Sequence, residues 1–294
     1  MGVAFALLVL TGCGGGADEQ PGQAEAKASA ETPQHGCEEG GLDLVPATYG
    51  ERDRVVLPVV FPDGSRAELV YPPELDIAGL GVFPYSSGRL PRESPSLERG
   101  DTVGRDFWIR CGKLADVLAL WNDGKPPALL AQHEGADGQA VGLWDLRSDD
   151  TVHHLGFQFG RWAVLVYDYV AAGAMTDAER ASWAASFSGR ETEKGFLLLE
   201  GSGPLRLARA REHAGPELVF AAGKPTRDLA LFPGECHPHH DQTRLIDGKL
   251  VQWNGGFADW CLSESMRIHA SGPEDFIGEL VRALAVRNVT VTRG

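Results

Sequence analysis

The chain has 294 residues, with 27 Lys and Arg against 41 Asp and Glu, a formal net charge of -14 at pH 7. Hydrophobic residues make up 43% and charged residues 23%, the balance of an ordinary globular chain and too polar for a multi-span membrane protein. The acidic excess, with no basic stripe, excludes nucleic acid as a partner because phosphates would be repelled.

Residues Val3 to Leu10 form an apolar run that ends in Leu10-Thr11-Gly12-Cys13. The run is far shorter than the roughly 20 residues needed to span a bilayer, and reads as a signal-peptide core. A branched apolar residue, two small residues and a Cys resemble the lipobox of bacterial lipoproteins. In that family the Cys thiol is alkylated by diacylglycerol, and a signal peptidase cuts just before it. The resemblance implies a lipidated Cys13, a signal peptide over 1–12, and a protein held on the cell membrane with its fold outside the cytoplasm. The basic segment usual in that family is missing before Cys13, which points to a translation start upstream of Met1. Arg outnumbers Lys 21 to 6, a bias that suits a GC-rich genome and an actinobacterial lipoprotein.

Gly14 to Gly36 is mostly Gly, Ala, Glu, Gln, Pro and Ser, with no large apolar residue. Such a segment buries too little surface to offset its ordering entropy and reads as a tether. About 30 residues of this composition reach roughly 30 Å. The expected organisation is a signal peptide over 1–12, a lipidated Cys and linker over 13–40, and a globular domain over 41–294. A subdomain boundary near position 150 is an alternative.

From Arg54 onward the pattern is β-rich. Arg54 to Phe61 and Arg66 to Tyr71 flank Pro62-Asp63-Gly64-Ser65 and predict a hairpin. Leu75 to Leu80 predicts a short helical turn. Phe107 to Ile109 and Val117 to Trp121 predict short strands. Asn122-Asp123-Gly124 then reads as a second hairpin turn before Ala128 to Gln132. Val141 to Leu146 and Arg161 to Tyr169 predict strands, the latter fully buried. Thr176-Asp177-Ala178-Glu179 is a capping box that opens a helix. Asp247-Gly248 predicts a third hairpin within Leu245 to Val251. Ser271-Gly272-Pro273-Glu274 opens a second helix, with an apolar stripe through Phe276, Ile277, Leu280, Val281 and Leu284. Val286 to Val291 is the expected last strand.

The fold class expected is α+β, mainly antiparallel sheets with two capped amphipathic helices. Strand, capped helix and strand recur at Trp162 to Glu200 and at Ser265 to Val291, so a weak β-α-β duplication is a further expectation.

Four cysteines besides Cys13 remain: Cys37, Cys111, Cys236 and Cys261. In an exported chain an even number predicts two disulfides with three possible pairings. Cys37–Cys111 with Cys236–Cys261 is preferred. The second closes a local loop, and the first pins the start of the domain.

No nucleophile elbow, metalloprotease helix, P-loop, Rossmann fingerprint or EF-hand loop occurs in the sequence. The reading is therefore a non-enzymatic module that binds a ligand or another envelope protein. The alternative is a metal-binding lipoprotein or a metal-dependent hydrolase. It rests on Cys236-His237-Pro238-His239-His240-Asp241, where imidazole and carboxylate suit zinc or another transition metal. In an extended segment His237 and His239 point the same way, with His240, Asp241 or His269 available to complete a shell. A disulfide at Cys236 would remove that thiol as a ligand. His153-His154 reads as a strand-edge pair. Trp253, Phe257 and Trp260 around Asn254-Gly255-Gly256 read as core rather than a sugar platform.

Overall fold

A computed structural model describes residues 45–85, 88–89, 104–105, 107–146, 152–169, 174–202, 206–208, 210, 215–222, 227–237 and 243–292. Signal peptide, tether, Cys13 and Cys37 lie outside them.

The first elements are strands β1 (Tyr49–Glu51), β2 (Arg54–Val60) and β3 (Arg66–Tyr71). The hairpin expected at Pro62 to Ser65 forms, with Val60 opposite Arg66. Its turn is closed by bonds between Phe61 and the Ser65 carbonyl (2.8 Å) and between Gly64 and the Phe61 carbonyl (2.9 Å). Gly64 has φ +85, a left-handed conformation that a side chain would strain. Asp63 accepts from the Ser65 amide and hydroxyl. Two 3-10 turns, Pro73–Leu75 and Ala78–Leu80, stand where a short helical turn is expected.

Strands β4 (Val82–Tyr85), β5 (Gly88–Arg89), β6 (Gly104–Arg105) and β7 (Phe107–Cys111) follow. The next segment corrects two expectations. Val117 to Trp121 is not a strand but part of helix α1 (Leu114–Trp121). Leu114, Val117, Leu118 and Trp121 recur at helical spacing, and Val117 and Leu118 are buried against the sheet below. Asn122-Asp123-Gly124 is accordingly a helix stop rather than a hairpin. Asp123 and Gly124 have φ of +53 and +79, and the Gly124 amide returns to the Ala119 carbonyl (2.8 Å).

Strands β8 (Ala128–Glu134), β9 (Ala140–Asp145), β10 (Val152–Phe159) and β11 (Trp162–Tyr169) come next. Helix α2 (Asp177–Ser186) has the full capping box. Thr176 Oγ1 accepts from the Glu179 amide, and the Glu179 carboxylate accepts from the Thr176 amide (2.7 Å). The helix runs directly into β12 (Phe187–Glu191), which pairs with β13 (Leu197–Gly201). Phe187 sits at this junction among the rings of Phe107, Phe157, Phe159 and Trp183, with centroids 5.1–6.1 Å away.

The remaining strands are β14 (Arg206–Leu207), β15 (Glu217–Ala222), β16 (Arg227–Pro233), β17 (Thr243–Ile246), β18 (Lys249–Asn254), β19 (Phe257–Ser263) and β20 (Met266–Ser271). Asp247 and Gly248, at φ +49 and +77, make the expected tight turn between β17 and β18. Helix α3 (Glu274–Ala283) has no side-chain cap at its start, so Ser271 is not the capping residue it was expected to be. Ser271 closes β20, and its hydroxyl donates to Asp228 (3.0 Å). The C-terminus of α3 is capped by cations instead. Lys249 donates to the carbonyls of Val281 and Leu284, and Arg54 to that of Ala283. Strand β21 (Ala285–Thr290) pairs back on β3.

The described strands form mostly antiparallel sheets, with few helices. Their orders are β1-β2-β3-β21, β7-β11-β10-β9-β8, β12-β13, β14-β5-β6 and β17-β18-β19-β20-β16-β15-β4. Strands β9 and β10, on either side of position 150, are neighbours in one sheet. The two strand–helix–strand segments each place their outer strands in different sheets. One apolar cluster joins four of the sheets to α3, through Leu57, Phe107, Leu199, Leu231 and Ile277 among others. A smaller one lies under α1. Strand β11 is thus covered on both faces, by the main cluster through Trp162, Val164 and Val166 and by the smaller one through Ala163 and Leu165, which is why Trp162 to Val166 lacks polar alternation.

Candidate functional site

The sequence places its strongest chemistry at 236–241. Cys236 is disulfide-bonded to Cys261, so its thiol is no metal ligand. His237 is exposed, with Nε2 3.8 Å from a Glu235 carboxylate oxygen. His239, His240 and Asp241 lie outside the described residues. Among the described residues no group of three or more His, Cys, Asp or Glu could hold a metal ion. Cys111 is also disulfide-bonded, with a partner outside the described residues.

His237 lines a small recess beside the disulfide together with Asp259 and Arg267. Asp259 faces His269 across β19 and β20, with 3.1 Å between carboxylate and Nδ1. That hydrogen bond holds the His269 pKa above its usual 6.5. On the same sheet face, burial pushes the Glu217 carboxyl up to about 7, against the pull of Arg267 and His269. Both groups bind protons more tightly folded than unfolded. Their contribution to stability is therefore complete below the unfolded-state values. For Glu217 it falls between pH 4.5 and about 7, and for His269 as pH rises through and above 6.5. Urea unfolding from pH 4.5 to 8 is expected to show stability falling across this window, and Glu217→Gln with His269→Gln to flatten that part of the slope. An unchanged slope would disprove the assignment.

The other singled-out residues sit on strands β10, β18 and β19. His153 and His154 do not form a strand-edge pair, because β10 is paired on both sides. His154 is buried between the rings of Trp121 and Tyr167. Trp260 is buried and Trp253 packs against the core, as expected, while Phe257 is exposed over the His269 ring.

Two arrangements were not visible in the sequence. The first is a row of ionisable residues across one sheet. Asp145, His153 and Asp168 stand opposite one another on β9, β10 and β11, pointing to one face. Asp168 is fully buried. It accepts from the Met175 amide (2.7 Å) and from Nε and an Nη of Arg180 (3.0 and 2.9 Å). His153 Nδ1 and one Asp145 oxygen are buried with no hydrogen-bond partner among the described residues.

The second is a cleft of about 580 Å³ between the β2-β3-β21 sheet and the tip of the β12–β13 hairpin. Its volume falls in the range of small-molecule sites, roughly 300–1,000 Å³. The hairpin tip is a five-residue turn. The Thr192 amide donates to the Phe196 carbonyl (2.7 Å), and Gly195 has φ +86. Three ties fix it. Trp162 Nε1 donates to the Gly195 carbonyl (3.0 Å), the Leu199 amide to the Pro62 carbonyl (2.8 Å), and Arg161 pairs with Glu191 (2.5 Å). The opposite wall carries Glu68, which accepts from Arg287 (2.7 Å), Asn288 (2.8 Å) and Tyr49 (3.2 Å). These donors hold its pKa below the usual carboxylate value against some desolvation. The cleft is therefore preformed on both sides.

No family model and no curated protein is similar to this chain. Among solved structures, MucB in complex with MucA(peri) is matched over 81% of this chain and 87% of that one, at 10% identity and a TM-score of 0.16. A superposition that loose carries no argument about this chain.

Proposed function

We propose that the chain is a membrane-anchored extracytoplasmic lipoprotein, and that its folded part is a non-enzymatic binding module. The observation that carries this is Leu10-Thr11-Gly12-Cys13 followed at once by the polar segment 14–36. Disulfides support the compartment, because the bonds at Cys236–Cys261 and at Cys111 persist in oxidising surroundings. The pairing Cys37–Cys111 belongs to the same proposal. The preformed cleft supports a binding role. In cells expressing the chain from its natural start, labelled palmitate is expected on the wild type and absent from Cys13→Ser, which also leaves the membrane fraction. A Cys13→Ser protein that still takes up label and stays with membranes overturns the anchor.

A second reading, a metal-binding lipoprotein or metal-dependent hydrolase, is favoured by His237 and Asp259 lining one recess. Its expected signature is stoichiometric zinc in the purified protein, lost in His237→Ala with His239→Ala. Protein that stays metal-free in excess zinc overturns it.

A further inference from the structure

We infer that the cleft between the β2-β3-β21 sheet and the β12–β13 hairpin binds an organic anion, a phosphate or carboxylate carried on a short apolar body. The inference rests on which charges there are already committed. Six charged side chains line the cleft: Arg66, Glu68, Arg190, Glu191, Glu193 and Lys194. Glu68 is taken up by Arg287 and Asn288, and Glu191 by Arg161. Arg66, Arg190 and Lys194 have no ion pair or hydrogen bond among the described residues. Glu193 has none either. Three uncommitted cations thus face one uncommitted carboxylate.

That local balance is opposite in sign to the whole chain, which carries -14. At physiological salt the screening length is about 8 Å, so a ligand in the cleft feels the nearby cations more than the distant acids. Two of the three cations are Arg, whose planar fork suits the paired oxygens of phosphate or carboxylate. Between the charges the wall carries a small apolar surface, given by the half-buried Pro58 with the edges of Val60 and Leu198 beside it. A bare inorganic ion would leave that surface unused, whereas a ligand with an apolar body covers it. The fixed hairpin tip and the Glu68–Arg287 network hold both walls in place, so the ordering that binding requires is confined to the cation side chains.

This ligand class rests on the reading of the folded part as a binding module, but not on the lipid anchor. The two tests fail separately. The purified full chain carrying Cys13→Ser is titrated with hexyl phosphate, 1-hexanol, hexylammonium and inorganic phosphate, followed by amide chemical shifts. Hexyl phosphate is expected to bind, with shifts confined to β2, β3, the 190–198 hairpin and β21. It should bind about tenfold or more tightly than hexylammonium or hexanol, and weaken as salt rises. Arg66→Ala, Arg190→Ala and Lys194→Ala combined should abolish binding while leaving the thermal midpoint in place, since all three side chains are exposed. Vesicles distinguish the source of the anion. Capture by phosphatidylglycerol but not phosphatidylcholine vesicles, lost in the triple variant, places it on a lipid headgroup. Binding of free hexyl phosphate without capture places it on a soluble molecule. Equal binding of hexylammonium, unchanged hexyl phosphate affinity in the triple variant, or no binding of any anionic probe overturns the inference.

Discussion

Asp168→Ala is expected to destabilise the fold by about 3–5 kcal/mol, the cost of stranding a buried charge by removing its partner. Asp168 is fully buried, and Arg180 delivers two guanidinium nitrogens to one of its oxygens at 2.9 and 3.0 Å. The Arg180 side chain is itself only 14% exposed, so water replaces little of the lost interaction. The same carboxylate accepts from the Met175 amide (2.7 Å), one residue before the cap of α2. Losing it releases the entry to that helix as well as the charge pair. Arg180→Ala should cost at least as much, because it strands the fully buried Asp168 carboxylate without its cation, whereas the Arg180 left in Asp168→Ala keeps its contact to the exposed Asp177. The double variant should cost less than the two singles added together, by about 1–3 kcal/mol, since each single leaves an orphan that the double does not. Urea unfolding of all four proteins measures this. Strict additivity, or a loss below 1 kcal/mol for Asp168→Ala, would show that the pair is not a structural unit.

That pair also shows where sequence reasoning stops. The hairpins at Asp63-Gly64 and Asp247-Gly248 were legible because a tight reversal needs residues that tolerate positive φ, and such residues announce themselves locally. The same chemistry misled at Asp123-Gly124, since a helix stop uses left-handed residues too. Without the turn as a guide, the short apolar cluster Leu114 to Trp121 fits both periods, and only burial under α1 decides for helix. Ser271 looked like a cap by spacing, yet β20 extends through it and its hydroxyl is drawn across the sheet to Asp228.

The candidate site was less legible than the fold. Asp145, His153 and Asp168 are separated by stretches of ordinary chain and meet only through strand register. The cleft joins Arg66 on β3 to Arg190 and Lys194 more than 120 positions later. No local pattern marks any of the three. What distinguishes them is that neighbouring acids are held by other donors, a property of pairings rather than of spacing. The His cluster, by contrast, stood out because its residues are adjacent in sequence. Of that cluster the described residues include only Cys236, held in a disulfide, and His237, which extends into solvent beside Glu235.

Removing the Cys236–Cys261 bond, by Cys236→Ser with Cys261→Ser, should lower stability by about 3.5 kcal/mol, the chain-entropy value for a closed loop of this size. The two cysteines are separated by 25 positions, and the loop includes β17, β18 and most of β19. Without the cross-link the unfolded chain regains that loop's freedom. The folded chain should keep its architecture. The Gly234 amide still donates to the Ser265 carbonyl (3.0 Å), and the Cys236 amide to the Glu264 carbonyl (2.8 Å), which hold the segment against the β19–β20 turn. The serine variant should therefore unfold at lower urea with little change in near-ultraviolet dichroism. Because the bond is local, reduction of the wild type by a strong thiol should cost at least as much, as it also opens the bond at Cys111. A variant as stable as wild type would mean that the backbone bonds alone hold the segment, and that the disulfide adds nothing that an oxidising compartment would need to preserve.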